Sequence, residues 1–145
     1  MWSHTIKICV LDLTRQTLVS HLSDHDSVVE IGIGRRTAVA RDLAQRGVNV
    51  TATDIHDREV PDGVRFVIDD VTDPDYRIYE GVDAIYALNL PPELHRPALA
   101  VALDVGASFS FTTLGGDQPA IPVSRRSIPG ETLYLQKDFN RPPGE

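Results

Sequence analysis

The chain reads as an α/β domain whose core is a mostly parallel sheet with helices on both faces. Three observations predict it. Short apolar runs rich in β-branched residues recur at 28–31, 48–53, 64–68, 83–88 and 107–113. Stretches with helical spacing of apolar residues lie between several of them, and three of the runs lead straight into a glycine or an aspartate. A parallel return needs a long crossover, usually a helix, so this alternation implies parallel pairing and a sheet covered on two sides.

The elements follow in order. At the N-terminus, Ile6, Ile8 and Val10 alternate as in a strand, while Ile8, Leu11, Leu18 and Leu22 form a helical stripe that Arg15 interrupts; the reading favoured is a helix over 13–22. Val28, Val29, Glu30 and Ile31 form a buried strand closed by Gly32. Residues 37–46 place Val39, Ala40, Leu43 and Ala44 on one helical face before Gly47. Strands over 48–53 and 64–68 end at Asp54 and at Asp69 and Asp70. A fourth strand over 83–88 precedes a helix that Pro91 and Pro92 open and that runs over 93–103. A fifth strand over 107–113 leads to the turn at Gly115 and Gly116. A proline-rich loop over 119–129 and a last strand over 131–137 complete the core.

Length and composition narrow the class. At 145 residues the chain suits one domain, taken as 1–139, with an N-terminal helix and loop over 1–27, a sheet core over 28–139 and a flexible tail over 140–145. No apolar run is long enough to span a bilayer and no secretion signal opens the chain, which predicts a cytoplasmic protein without a membrane partner. The single cysteine, Cys9, reads as an inert core thiol. A net charge of −7 opposes polyanion binding, so nucleic acid is disfavoured as a partner. His21 and His25 are four apart, but a metal site needs a third ligand of defined placement, and no metal is expected.

The central motif is Glu30-Ile31-Gly32-Ile33-Gly34-Arg35-Arg36, set between a strand and a helix. Glycines there permit a tight turn and let backbone N–H groups approach a ligand. A second strand ends 24 residues after Glu30 at Asp54, where a carboxylate can accept from both hydroxyls of a ribose. A dinucleotide site would want glycine at position 37, which is Thr37. The acidic Glu30 instead suits an ammonium group and opposes a pyrophosphate. Arg36, beside the turn, could pair with a ligand carboxylate or bind a phosphate in a bidentate manner.

With these residues in place, the Glu30 motif, Asp54 and Asp69-Asp70-Val71 resemble the first three motifs of class I S-adenosylmethionine-dependent methyltransferases. More narrowly, residues 28–34 with Asp69-Asp70-Val71, Pro91-Pro92-Glu93-Leu94 and the Gly115-Gly116 turn resemble a small archaeal group, uncharacterised protein family 0146. The resemblance covers about residues 28–138. It implies a Rossmann-like, methyltransferase-like three-layer sandwich with S-adenosylmethionine as cofactor. Glu30, Gly32 and Gly34 would hold the methionine end, Asp54 the ribose, Asp70 the adenine amine, and Val71 would lie against the ring.

Candidates for the acceptor side are thinner. Asn89-Leu90-Pro91-Pro92 lies where amino-group methyltransferases carry an Asn/Asp-Pro-Pro-aromatic motif, yet prolines that simply start a helix explain it as well. Asn89 and His95 are the residues that could hold an acceptor, with neither assigned as a base. The functional expectation is an S-adenosylmethionine-binding, methyltransferase-like protein taking a small nucleoside-type ligand. A non-catalytic Rossmann-like module for ligand sensing or protein pairing, and a nucleotide or NAD site resting on Arg35 and Arg36, are the alternatives. Whether the N-terminal segment packs on the sheet or joins two copies into a homo-oligomer stays open.

Overall fold

A computed structural model describes residues 2–137, with residues 2–9 described by their backbone alone. The side chain of Cys9, expected as a core thiol, and the tail over 140–145 therefore lie outside what is described. The chain runs α1 (Trp2–Leu22), β1 (Ser27–Ile31), α2 (Ala38–Gln45), β2 (Asn49–Asp54), β3 (Val64–Ile68), β4 (Ala84–Ala87), α3 (His95–Val105), β5 (Ser108–Phe111), β6 (Val123–Ile128) and β7 (Glu131–Gln136). These strands form one seven-stranded sheet in the order β3-β2-β1-β4-β5-β7-β6. The first five pair in parallel, and β7 enters antiparallel between β5 and β6.

Period-two alternation splits the core between the two faces of the sheet. Val28, Val50, Ala52, Ala84 and Tyr86 pack with Leu18, Val19, Val39 and Leu43 of α1 and α2. Val29, Ile31, Ile85, Ala87, Phe109 and Phe111 pack with Ala98, Val101 and Ala102 of α3. The β3-to-β4 crossover has a single 3₁₀ turn, Tyr76–Ile78, and then Tyr79 fills the second face.

Three expectations are corrected. α1 starts eleven residues before the expected Leu13, at Trp2, because no glycine or proline interrupts its 21 residues. Its buried stripe is Thr14, Leu18 and Leu22 with Val19, so Leu11 is left 78% exposed. The supposed loop over 119–129 holds β6, whose four central residues are exposed. As a sheet edge paired on one side only, it needs no apolar alternation, and that is why the pattern was silent. α3 is preceded by a 3₁₀ turn at Pro92–Leu94 and ends at Gly106 in the left-handed conformation.

The hairpin of β6 and β7 is docked back on α1. The Thr14 hydroxyl bonds the carbonyl oxygen of Pro129 in the hairpin turn, and a Cβ at Gly130 would stand 2.9 Å from that hydroxyl. No helix among the described residues is long and apolar enough to cross a membrane.

Candidate functional site

The chain leaves β1 through a bend in which Gly32 and Gly34 take φ of 68° and 54°, a region costly for residues with a Cβ. Gly32 is exposed, and a Cβ built on it would meet nothing within 4 Å. The bend therefore presents bare backbone at the carboxyl end of the sheet. Ile33 N–H bonds Thr53 O at 3.0 Å, prolonging the pairing of β1 with β2. Gly34 N–H then donates to Asp54 Oδ2 at 2.9 Å, so the glycine bend and the acid ending β2 are directly joined.

Asp54 also accepts from His56 N–H at 3.0 Å, and Arg58 Nε lies 3.5 Å from its Oδ2. Burial pushes this carboxyl up, but the two N–H donors and the guanidinium outweigh it and hold Asp54 below the usual carboxylate range. A carboxylate offers about four acceptor sites, of which two are filled by backbone donors. Beside it, Ile55 is 62% exposed, an apolar side chain left bare at the strand end.

Glu30 faces α1 and α2, as Asp54 does: it pairs with Ala52, and Asp54 is the next residue of β2 on that face. Glu30 is fully buried, with Tyr86 Oη donating to its Oε1 at 2.6 Å and Oε2 without a partner among the described residues. Burial raises its pKa to about 8 despite the Tyr86 hydrogen bond and the nearby Arg36 charge. The carboxyl is therefore protonated at neutral pH.

The acids after β3 divide their work. Asp69 is structural: Oδ1 accepts from Asp75 N–H at 3.0 Å and Oδ2 from the Tyr79 hydroxyl at 2.7 Å. Asp70 is exposed and spends only Oδ1, on Thr72 N–H and Oγ1. Val71 is buried in the second face.

The acceptor candidates part company. Asn89 is exposed at the end of β4 with φ of 56°, the left-handed region that asparagine tolerates, and its N–H is held by Thr112 Oγ1 at 2.9 Å. It borders a cavity of about 980 Å³ together with Thr14, Arg36, Thr113, Glu131 and Tyr134. His95 is buried. Its Nδ1 accepts from Ala120 N–H at 3.0 Å, which leaves Nε2 as the donor to Leu90 O at 2.9 Å. Its ring also packs on Phe111, 4.5 Å between centroids. No ring nitrogen is left to hold an acceptor, so the weak case for His95 gives way to a structural one.

Arg36 has a protein partner that the sequence did not show. Its Nη1 and Nη2 engage Glu131 Oε1 and Oε2 at 3.2 and 2.9 Å, across to β7. Tyr86, Glu131 and Ile55 were missed. An apolar residue right after a strand-ending acid was a readable signal for Ile55, whereas the other two need the strand register and the hairpin.

The strand order, with one antiparallel strand inserted beside β5 and a glycine bend after β1, defines a Rossmann-like α/β fold of the kind found in methyltransferases. Solved structures share this fold. An RNA methyltransferase from Salinibacter ruber in complex with S-adenosyl-L-homocysteine matches with a TM-score of 0.63 at 15% identity, over 90% of this chain and 94% of that one. A TehB-like SAM-dependent methyltransferase from Corynebacterium glutamicum matches at 0.58 and 15%, over 92% and 91%. The chain belongs to the Uncharacterised protein family (UPF0146), whose model matches residues 12–138. The UPF0146 protein of Halobacterium salinarum is 51% identical over 123 residues, 84% of this chain and 95% of that protein. The Archaeoglobus fulgidus member is 52% identical over 90 residues, 62% of this chain and 69% of that one.

Proposed function

We propose that this protein binds S-adenosylmethionine or its demethylated product over the glycine bend, as a methyltransferase-like protein. The observation that carries the reading is the hydrogen bond from Gly34 N–H to Asp54. It fixes bare backbone beside a carboxylate that, after its two backbone donors and the Arg58 guanidinium, keeps an acceptor site for a ribose hydroxyl. The exposed face of Ile55 is suited to the flat adenine ring, and Val71 underlies the same end of the sheet. Asp70 Oδ2, which no described residue bonds, suits the adenine amine. Gly32, Gly34 and the buried Glu30 beneath them would line the methionine end.

The cofactor supplies a methyl group on a positively charged sulfur, which needs in-line approach of a nucleophile more than covalent help from the protein. Asn89, at the cavity edge, is the residue placed to orient an acceptor amine or hydroxyl. The sequestered His95 favours a second reading, a ligand-sensing module without a proton-accepting side chain at the acceptor position. A nucleotide or NAD ligand is disfavoured because Glu131 occupies the fork of Arg36 and would repel phosphate.

Thermal shift with S-adenosylmethionine, S-adenosylhomocysteine, NAD and ATP tests the reading. A ligand at 100 times its Kd adds about 2.7 kcal/mol of stability. The S-adenosyl compounds should shift the melt and the others should not. A shift by NAD or ATP alone would refute it.

A further inference from the structure

We infer that the ion pair of Arg36 and Glu131 is a recognition site for an α-amino-acid group, whose carboxylate docks on Arg36 and whose ammonium docks on Glu131. The pair lies in the wall of the half-open cavity of about 980 Å³. It joins two elements that no local sequence signal links, the segment just after the glycine bend and the first residue of β7. Both side chains keep access to the cavity, at 34% and 20% exposure.

The chemistry selects a zwitterion. Arg36 has five N–H donors and Glu131 about four acceptor sites, and their mutual contact uses two of each. A ligand carboxylate finds unused donors on Arg36, and a ligand ammonium finds unused lone pairs on Glu131. The two charges of an α-amino acid are one carbon apart, so it docks against the touching pair head to tail and the four charges alternate in sign. A lone anion such as phosphate meets the repulsion of Glu131, and a lone cation meets Arg36. The neighbouring buried Glu30 is uncharged at neutral pH, which leaves Arg36 unneutralised from below. Polar groups of Thr14, Asn89 and Thr132 border the same hollow.

The inference deepens the reading above and rests on it where the amino acid is carried by a nucleoside. A free amino acid offers the same group, and one experiment separates the two sources. Calorimetric titrations use S-adenosylhomocysteine, decarboxylated S-adenosylmethionine, methylthioadenosine and free L-methionine, on the full chain and on Arg36→Ala and Glu131→Gln. Loss of a charge-assisted contact should weaken S-adenosylhomocysteine about tenfold or more in either variant. Decarboxylated S-adenosylmethionine, lacking the carboxylate, should respond to Glu131→Gln and ignore Arg36→Ala. Methylthioadenosine, lacking the whole group, should ignore both.

Equal losses for every ligand, methylthioadenosine included, would mean a purely structural latch and would overturn the inference. Tight S-adenosylhomocysteine binding indifferent to both variants would overturn it and leave the proposed function standing. Arg36-dependent binding of free methionine with no nucleoside bound would uphold it and remove the proposed function. No binding of any of the four would remove both.

Discussion

Tyr86 donates its hydroxyl hydrogen to Glu30 Oε1 at 2.6 Å across the paired strands β4 and β1, and the second oxygen of Glu30 is buried with no partner among the described residues. The carboxyl is thus held in its neutral form inside the sheet, directly beneath the glycine bend.

That arrangement sets a pH dependence. Glu30 titrates near 8 when folded against 4.5 when free, so the folded state keeps a proton that the unfolded state releases. The resulting stability is complete below pH 4.5 and is lost as pH rises towards 8, by up to about 1.4 kcal/mol per unit. Glu30→Gln, which mimics the neutral form, should flatten this slope in denaturant titrations across the window. Parallel slopes for the two proteins would show that Glu30 is ionised in the fold.

Tyr86→Phe removes the only hydrogen bond that the Glu30 carboxyl makes among the described residues. An expected cost of about 1–3 kcal/mol follows from leaving the carboxyl wholly unsatisfied. In Glu30→Gln, which keeps an acceptor for the Tyr86 hydroxyl, the same change should cost about as much if Glu30 is neutral in the fold. A double-mutant cycle by chemical denaturation measures the coupling.

Asp54→Ala strips the acceptor from Gly34 N–H and His56 N–H at once, an expected loss of about 2–4 kcal/mol. The folded pKa of Asp54 is depressed, so its contribution is present above the ordinary value of 3.8 and vanishes as pH falls through the lower folded value. The acid unfolding curve of the variant should therefore be shallower than that of the parent protein. It should also lose the melt shift by S-adenosylhomocysteine, and an unaltered shift would detach Asp54 from the ligand.

Gly32 and Gly47 both have positive φ and open space where a Cβ would go, at opposite ends of the sheet. Valine at either position should cost about 1–2 kcal/mol through backbone strain alone. Only Gly32→Val puts its side chain where the nucleoside would lie. Equal melting points with binding lost in Gly32→Val alone are expected, and equal binding in both would move the ligand elsewhere.

His95→Ala should destabilise by about 3 kcal/mol, because a buried ring and two backbone partners are lost together. Affinity of the folded variant for S-adenosylhomocysteine should stay unchanged. A selective loss of affinity would return His95 to the site.

The sequence by itself determined the sheet, because apolar spacing of two or of three to four is written locally, and 64–68 was legible to the residue. It also determined the bend: Gly32, Gly34 and Asp54 are residue types that a left-handed turn and a strand end require. Glu30 was legible as an acid before the bend, but not as a neutral one, since protonation depends on water being excluded by elements far away in the chain. β6 escaped because a half-paired edge strand imposes no pattern on its residues. The tertiary structure alone decided that Tyr86 answers Glu30, that Glu131 answers Arg36 and that His95 is spent on backbone. Each of these depends on strand register or hairpin docking, which bring distant positions within hydrogen-bond range and leave no trace in local spacing.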